Sequence, residues 1–396
     1  MDVVSVFGPE EFAERLEKVQ QRMVERGWSA LVVADPANLY YLTGYNAWSF
    51  YVPQCAVVPA RGQPHLFLRA MDAHGARHTA VLPEDRIHAY PEELVHRPDV
   101  HPYDHIAALA RELNLFVDNP DEVVAMELDA HHLPVRGFLA VQRALLHARI
   151  VDSEELVNWV RVVKSPAEQD EMRAAGQVAE RAMTAALAGL RSGRRECDVV
   201  ADIQAAQTVS VGGVGGDYPA LVPLLPTGDS ADTPHLTWTD RVLRRGEATT
   251  IELAGVRNRY HAPLARTVCL GPPSAKLLDC AAATAEGMEA ALGSMKPGAA
   301  GADVHAAFTR VIAAHGLTKE SRIGYSIGVG FPPDWGERTV SLRAGEETVL
   351  EPGMAFHVIL GMWMDGWAYE LSESVLVTEH LPEPLTSMPR QLIVNE

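Results

Sequence analysis

Residues 9 to 27 place Phe12, Leu16, Val19 and Met23 at helical spacing with charged residues between them, which predicts an amphipathic helix. SALVVAD (29–35) follows as a short apolar run, read as a buried strand, with NLYYLTGY as its exit toward a loop. QCAVVPA and QPHLFLR read as a strand pair around an Ala60-Arg61-Gly62 turn. HIAALARELNL then has a helical pattern, and VVAMELD is another buried strand. Alternation of this kind predicts a small α/β domain. Ser165 and Pro166 are a serine N-cap and a first-turn proline, opening a long helix from KSPAEQDEMRAAG. The boundary is therefore placed before that helix, giving domains 1–160 and 161–396.

The second half reads as α+β. Two long helices (about 167–190 and 275–294) and a third near 302–315 accompany two apolar strand pairs. GEATTIELAGV and NRYHAPLARTVCL meet across Arg257-Asn258, and ETVLEPGMAFHVILGMW pairs with YELSESVLVTE. GGVGGD (212–217) lacks the Lys-Ser/Thr of a phosphate loop and fits a flexible loop beside an active site.

Composition narrows the function classes. The chain has 396 residues, 47% of them hydrophobic, enough for two domains with a sizeable core. A formal net charge of -18 disfavours a nucleic-acid or anionic-membrane partner. Cys55, Cys197, Cys269 and Cys280 are scattered without CxxC spacing and read as reduced core residues. Neither a signal peptide nor an apolar run of spanning length is visible, so a cytoplasmic protein is expected.

Four segments in order, KSPAEQDEMRAAG, the 246–267 strand pair, GYSIGVG (324–330) and LEPGMAFHV with ESVLVTE, resemble the creatinase/aminopeptidase superfamily. The resemblance implies an α/β N-terminal domain followed by an α+β pita-bread catalytic domain. Metal-dependent members carry five ligands at places that read here as Glu252, Pro263, Tyr325, Ile359 and Ser372. Two divalent ions need several converging anionic or imidazole ligands, and one glutamate does not supply them. No metal and no other cofactor are therefore expected. Creatinase is the metal-free precedent, and its catalytic histidine corresponds to His235, eleven residues before Gly246. The creatinase strand glutamate, however, aligns with Ala265.

LTGYNAWSFYVPQ (42–54), TGDSADTPHLTW (227–238) and GYSIGVGFPPDWGER (324–338) are similar to the ectoine hydrolases, a metal-free branch of the superfamily. That likeness implies opening of a cyclic amidine, ectoine, to an N-acetyl-2,4-diaminobutyrate, with hydroxyectoine left open as a second substrate. It implies attack on the amidine carbon by Glu252 and an aromatic loop closing over substrate at a homodimer interface. The residue chemistry suits this. A carboxylate is drawn to an amidinium and can attack it in the same pose. Histidine has an ordinary pKa near neutrality, which suits His235 to protonate the departing nitrogen and then activate water.

Other residues carry two readings each. Glu252 in apolar IELAG is costly to bury unless it has a function or a partner. His261 fits either a substrate contact or a packed strand residue, and Tyr325 either binds substrate or fills a vacated ligand place. Trp48, Phe50 and Tyr51 suit cation–π contact with an amidinium, or a packed aromatic cluster. Trp335 and Arg338 lie in a Pro-stiffened PPDWGER loop, where Arg338 would receive a substrate carboxylate or form a surface ion pair. Glu370 and Glu373 have odd spacing on a strand and so face opposite sides; Glu373 is preferred as nearer the old ligand place. The competing functions are a creatinase-like hydrolase, an Xaa-Pro aminopeptidase-like enzyme with an altered metal site, and an inactive pita-bread domain that binds a partner.

Overall fold

The computed structural model describes residues 5–396. They divide into two compact units, through Arg161 and from Val162 onward.

The first unit has one six-stranded sheet. Its strands are β1 (Ala30–Val33), β2 (Cys55–Pro59), β3 (His65–Arg69), β4 (Ile87–Tyr90), β5 (Val123–Met126) and β6 (Arg149–Asp152), in the order β4-β3-β2-β1-β5-β6. β2 and β3 pair antiparallel, as their sequences predict, while β1, β5 and β6 run parallel. Both faces are covered, which explains the continuous apolar runs of β1 and β5. The first helix, Pro9–Glu25, buries Phe12, Val19 and Met23, with Leu16 at the edge of the same cluster. One element differs from expectation. NLYYLTGY is not a loop exit but the helix Pro36–Thr43, because Asp35 accepts the Ala37 N–H at 2.8 Å as its N-cap and Pro36 occupies the first turn. Gly44, at φ +73°, closes that helix in the left-handed region.

In the second unit, β7 (Ala248–Arg257) and β8 (Tyr260–Leu270) form a hairpin whose turn residues, Asn258 and Arg259, both have positive φ. β9 (Gly324–Phe331), β10 (Asp334–Ser341), β11 (Ala355–Met364), β12 (Trp367–Leu376), β13 (Glu383–Pro384) and β14 (Ile393–Asn395) complete the sheet. Its order is β13-β12-β11-β9-β8-β14, with β7 on β8 and β10 on β9. The long helix Pro166–Gly189 has a full capping box. Glu168 bonds the Ser165 N–H at 2.9 Å, and its other oxygen accepts the Tyr260 hydroxyl at 2.7 Å, fixing the helix start to β8. Farther along, a Cβ on Gly255 of β7 would collide with the backbone of Ala175 and Ala179, so helix and strand touch main chain to main chain. Helices Ala275–Ser294 and Gly301–Ala314 match the predicted pair, and Glu196–Thr208 is an additional helix.

β8 and β12 also face each other, stitched by side-chain oxygens every second residue. Ser374 Oγ donates to Pro263 O at 2.7 Å, Ser372 Oγ accepts the Ala265 N–H at 2.6 Å, and Thr267 Oγ1 bonds both the N–H and C=O of Glu370. This stitching fixes the register of β12 against β8.

Candidate active site

Glu252 lies in the middle of β7, between Ile251 and Leu253, opposite Ala265 of β8. Its backbone also makes a two-bond bridge to Leu224 (2.9 and 3.1 Å), so the strand is held on both edges. The side chain is only 6% exposed, and its carboxylate accepts no hydrogen bond from any described residue. Burial, with the charge of Asp334 added, pushes its pKa up to about 7. Glu370 on β12 is buried as well. Its pKa is raised further, first by burial and then by the Glu252 charge, while Lys319 opposes the shift. Two acidic groups that resist joint ionisation therefore share this place. Lys319 donates to Gly361 O at 2.8 Å, and burial lowers its pKa to about 8.

Tyr325 of β9 pairs directly with His357 of β11. Trp335 Nε1–H donates to the Tyr325 hydroxyl oxygen at 2.9 Å, and His357 Nδ1 lies 3.0 Å from it. The other ring nitrogen, Nε2, lies 2.7 Å from Ser372 Oγ. Burial, helped by the nearby Arg322, lowers the His357 pKa to about 3, so the ring is neutral at physiological pH. The Tyr325 phenol is raised well above its ordinary value by burial first and then by Glu252, and it stays protonated.

His357 was not among the residues singled out from sequence. The available signal was a histidine inside the apolar run AFHVILGMW, on a strand that proves buried. The preference for Glu373 is corrected by the structure. Its carboxylate pairs with Arg266 at 2.6 Å, both side chains fully buried, and also meets Thr386 and Arg390. Odd spacing holds, but Glu370 is the member on the Glu252 side. His261 is likewise committed to the fold: Nε2 accepts the Ala220 N–H at 2.9 Å, and Nδ1 donates to Arg259 O at 2.8 Å. Burial holds its pKa well below the ordinary value.

Trp335 and Arg338 are on strand β10, not in a loop. Trp335 is fully buried and reaches the site through its ring N–H on Tyr325; Arg338 is half-buried at φ +56°. Glu337, beside them, is buried in a 2.7 Å ion pair with Lys164. His235 is exposed, on the loop before β7. Its neighbour Leu236 accepts the Leu225 N–H, one residue from the Leu224 bridge to Glu252. Within the first unit, Trp48 and Tyr51 are 58% and 59% exposed, and Phe50 packs 5.0 Å from the Trp48 ring.

The chain matches the metallopeptidase family M24 over residues 170–379 and the creatinase/prolidase N-terminal domain over residues 15–163. It is 43% identical to an ectoine hydrolase of Halomonas elongata over 98% of both chains. Among solved structures, dipeptidase PepE of Mycobacterium ulcerans is 25% identical, with TM-score 0.79 and coverage of 98% of this chain and 99% of that one. A prolidase from Thermococcus sibiricus shares the fold at TM-score 0.83 and 19% identity, covering 98% of this chain and all of that one.

A metallopeptidase family implies a metal centre, and the donors at the five ligand places do not fit one. Pro263 and Ile359 offer no side-chain donor, and the Ser372 and Tyr325 oxygens are taken up by Ala265, His357 and Trp335. Among the described residues no three His, Cys, Asp or Glu side chains converge as a metal site requires.

Proposed function

The chain belongs to the M24 metallopeptidase family, and we propose that this hydrolase opens the cyclic amidine ring of ectoine without a metal, yielding an N-acetyl-2,4-diaminobutyrate. The observation that carries the reading is Glu252, a buried carboxylate with no hydrogen-bond partner among the described residues, on the strand where the family's metal ligands begin. An isolated buried carboxylate is costly, and a cationic ligand offsets that cost. The amidinium of ectoine is such a ligand. Its charge draws the site's acidic groups toward ionisation, so the nucleophile is deprotonated where its target arrives.

The Glu252 oxygen bonds to the amidine carbon, and the π pair of the C=N bond moves onto nitrogen. One C–N bond then breaks, with a proton delivered to the departing amine, leaving the opened substrate attached to Glu252 through that carbon. Water adds at the same carbon, loses a proton, and expels the carboxylate, giving the amide. One water is consumed overall. His235 is assigned the proton transfers: it gives a proton to the amine and takes one from water. Its loop is tied by backbone bonds to the segment bridging Glu252, which supports the assignment. Trp48, Phe50 and Tyr51 are proposed to cover the ring in a cytoplasmic homodimer. The exposure of Trp48 and Tyr51 supports this role, and cation–π contacts there contribute roughly 0.5–2 kcal/mol each.

Product analysis of exhaustively chelated protein incubated with ectoine tests the proposal. Stoichiometric N-acetyl-2,4-diaminobutyrate is expected. Activity that vanishes on chelation and returns with manganese sinks the metal-free reading, and turnover of Xaa-Pro dipeptides in its place would establish a peptidase.

A further inference from the structure

We infer that Ser372 and His357 are positioning residues that fix Tyr325 as a one-way hydroxyl donor toward the ligand group that Glu252 attacks. The inference rests on the function proposed above and assigns that site a polarity. It follows from which atoms can only donate. The Ala265 amide can only donate, so Ser372 Oγ is its acceptor at 2.6 Å. The one other hydrogen-bonding neighbour of Ser372 Oγ among the described residues is His357 Nε2 at 2.7 Å, and the serine hydrogen goes there. A neutral imidazole that accepts at Nε2 carries its hydrogen on Nδ1, which then donates to the Tyr325 oxygen at 3.0 Å. Trp335 Nε1–H also can only donate, to the same oxygen at 2.9 Å.

Both acceptor positions of Tyr325 are thereby filled, and its own O–H has no acceptor among the described residues. The reverse arrangement sends the Tyr325 hydrogen to Nδ1 and an Nε2–H to Ser372. Each arrangement leaves one hydroxyl hydrogen unpaired. In the reverse one it is that of Ser372, which is fully enclosed, whereas Tyr325 is only half-buried and its O–H can meet a ligand, so the reverse is the costlier state. The wiring starts on Ala265, the cross-strand partner of Glu252, so nucleophile and donor are set by one hairpin. When Glu252 adds to an amidinium carbon, a ring nitrogen gains a lone pair. The Tyr325 O–H donates a hydrogen bond to that nitrogen, with no proton transferred. A donor that meets charge only as it develops stabilises the transition state more than the bound substrate.

The test has a spectroscopic arm and a kinetic arm. In the full chain labelled with 15N-histidine, long-range 1H–15N correlations of His357, assigned by its loss in His357→Gln, should show the Nδ1–H tautomer, unchanged across neutrality. An Nε2–H tautomer, or titration near neutrality, overturns the inference. With ectoine, Tyr325→Phe should lower kcat by about 10²-fold with little change in KM. Ser372→Ala should lower kcat about tenfold, through loss of one positioning hydrogen bond, and Ser372→Thr should restore it. A Ser372→Ala protein with changed melting temperature but wild-type kcat overturns the positioning role. The tautomer is read without substrate, so absence of ectoine turnover would sink the proposed function while the wiring is still decided by the spectrum.

Discussion

Glu252→Gln is expected to reduce ectoine turnover at least about 10³-fold while making the protein more stable at alkaline pH. Loss of activity follows because an amide oxygen is too weak a nucleophile to add to the amidine carbon. The gain in stability has a separate cause. The Glu252 pKa in the fold, about 7, lies above its ordinary value of 4.5, because the carboxylate is buried and lies near the Asp334 charge. A group raised in this way contributes full stability below its unfolded pKa, and that contribution is lost as pH rises through about 7. Glutamine mimics the protonated acid at every pH. The variant should match wild type near pH 4 and exceed it on the alkaline side by roughly 1–3 kcal/mol. Relief of Glu370 acts in the same direction. Thermal melts across pH, beside initial rates with ectoine, read both effects. A variant that loses stability at alkaline pH would show that Glu252 is a paired structural residue. In the wild-type enzyme, kcat/KM should rise with pH through about 7 as free Glu252 ionises.

Glu373→Gln should behave in the opposite way, with a large loss of stability and retention of the chemistry. Arg266 is fully buried and directs its remaining donors to the carbonyls of Ala265, Ser372, Met388 and Pro389, with Glu373 as its carboxylate partner. Removing the partner of a buried ion pair leaves an uncompensated charge and costs about 3–5 kcal/mol. In a unit of this size that lowers the melting temperature by roughly 10 °C. Below the new transition, folded protein should turn over ectoine at near wild-type kcat, because the Glu373 carboxylate points into the Arg266 cluster and not toward Glu252. A Glu373→Gln protein with an unchanged melting temperature and no activity would return Glu373 to the substrate site.

Glu370 and Glu373 mark where sequence reading reaches its limit. Their odd spacing on a strand shows that they face opposite sides, but not which side Arg266 occupies. That choice depends on the β8–β12 stitching, a contact between segments about a hundred residues apart. His261 poses the same difficulty, since its commitment to Ala220 is visible only once the loop at 220 is placed beside β8. The 248–270 hairpin was legible because its apolar strands flank an Asn-containing turn. The helix at 166 was legible because its capping box is written in consecutive residues. The Pro36–Thr43 helix carries a comparable signal in Asp35-Pro36, although NLYYLTGY directly after an apolar strand reads as that strand's exit toward a loop. His357 was hidden by the apolar strand around it, and its partners Tyr325 and Ser372 lie 32 and 15 residues away.

The most direct measurement is mass spectrometry of chelated enzyme quenched with denaturant during a single turnover of ectoine. A peptide containing Glu252 heavier by the mass of one ectoine molecule is expected, because a ring opened by carboxylate attack keeps all its atoms on the enzyme. Product formation with Glu252 unmodified at every quench time would contradict attack by Glu252 and leave the carboxylate only the role of holding the amidinium.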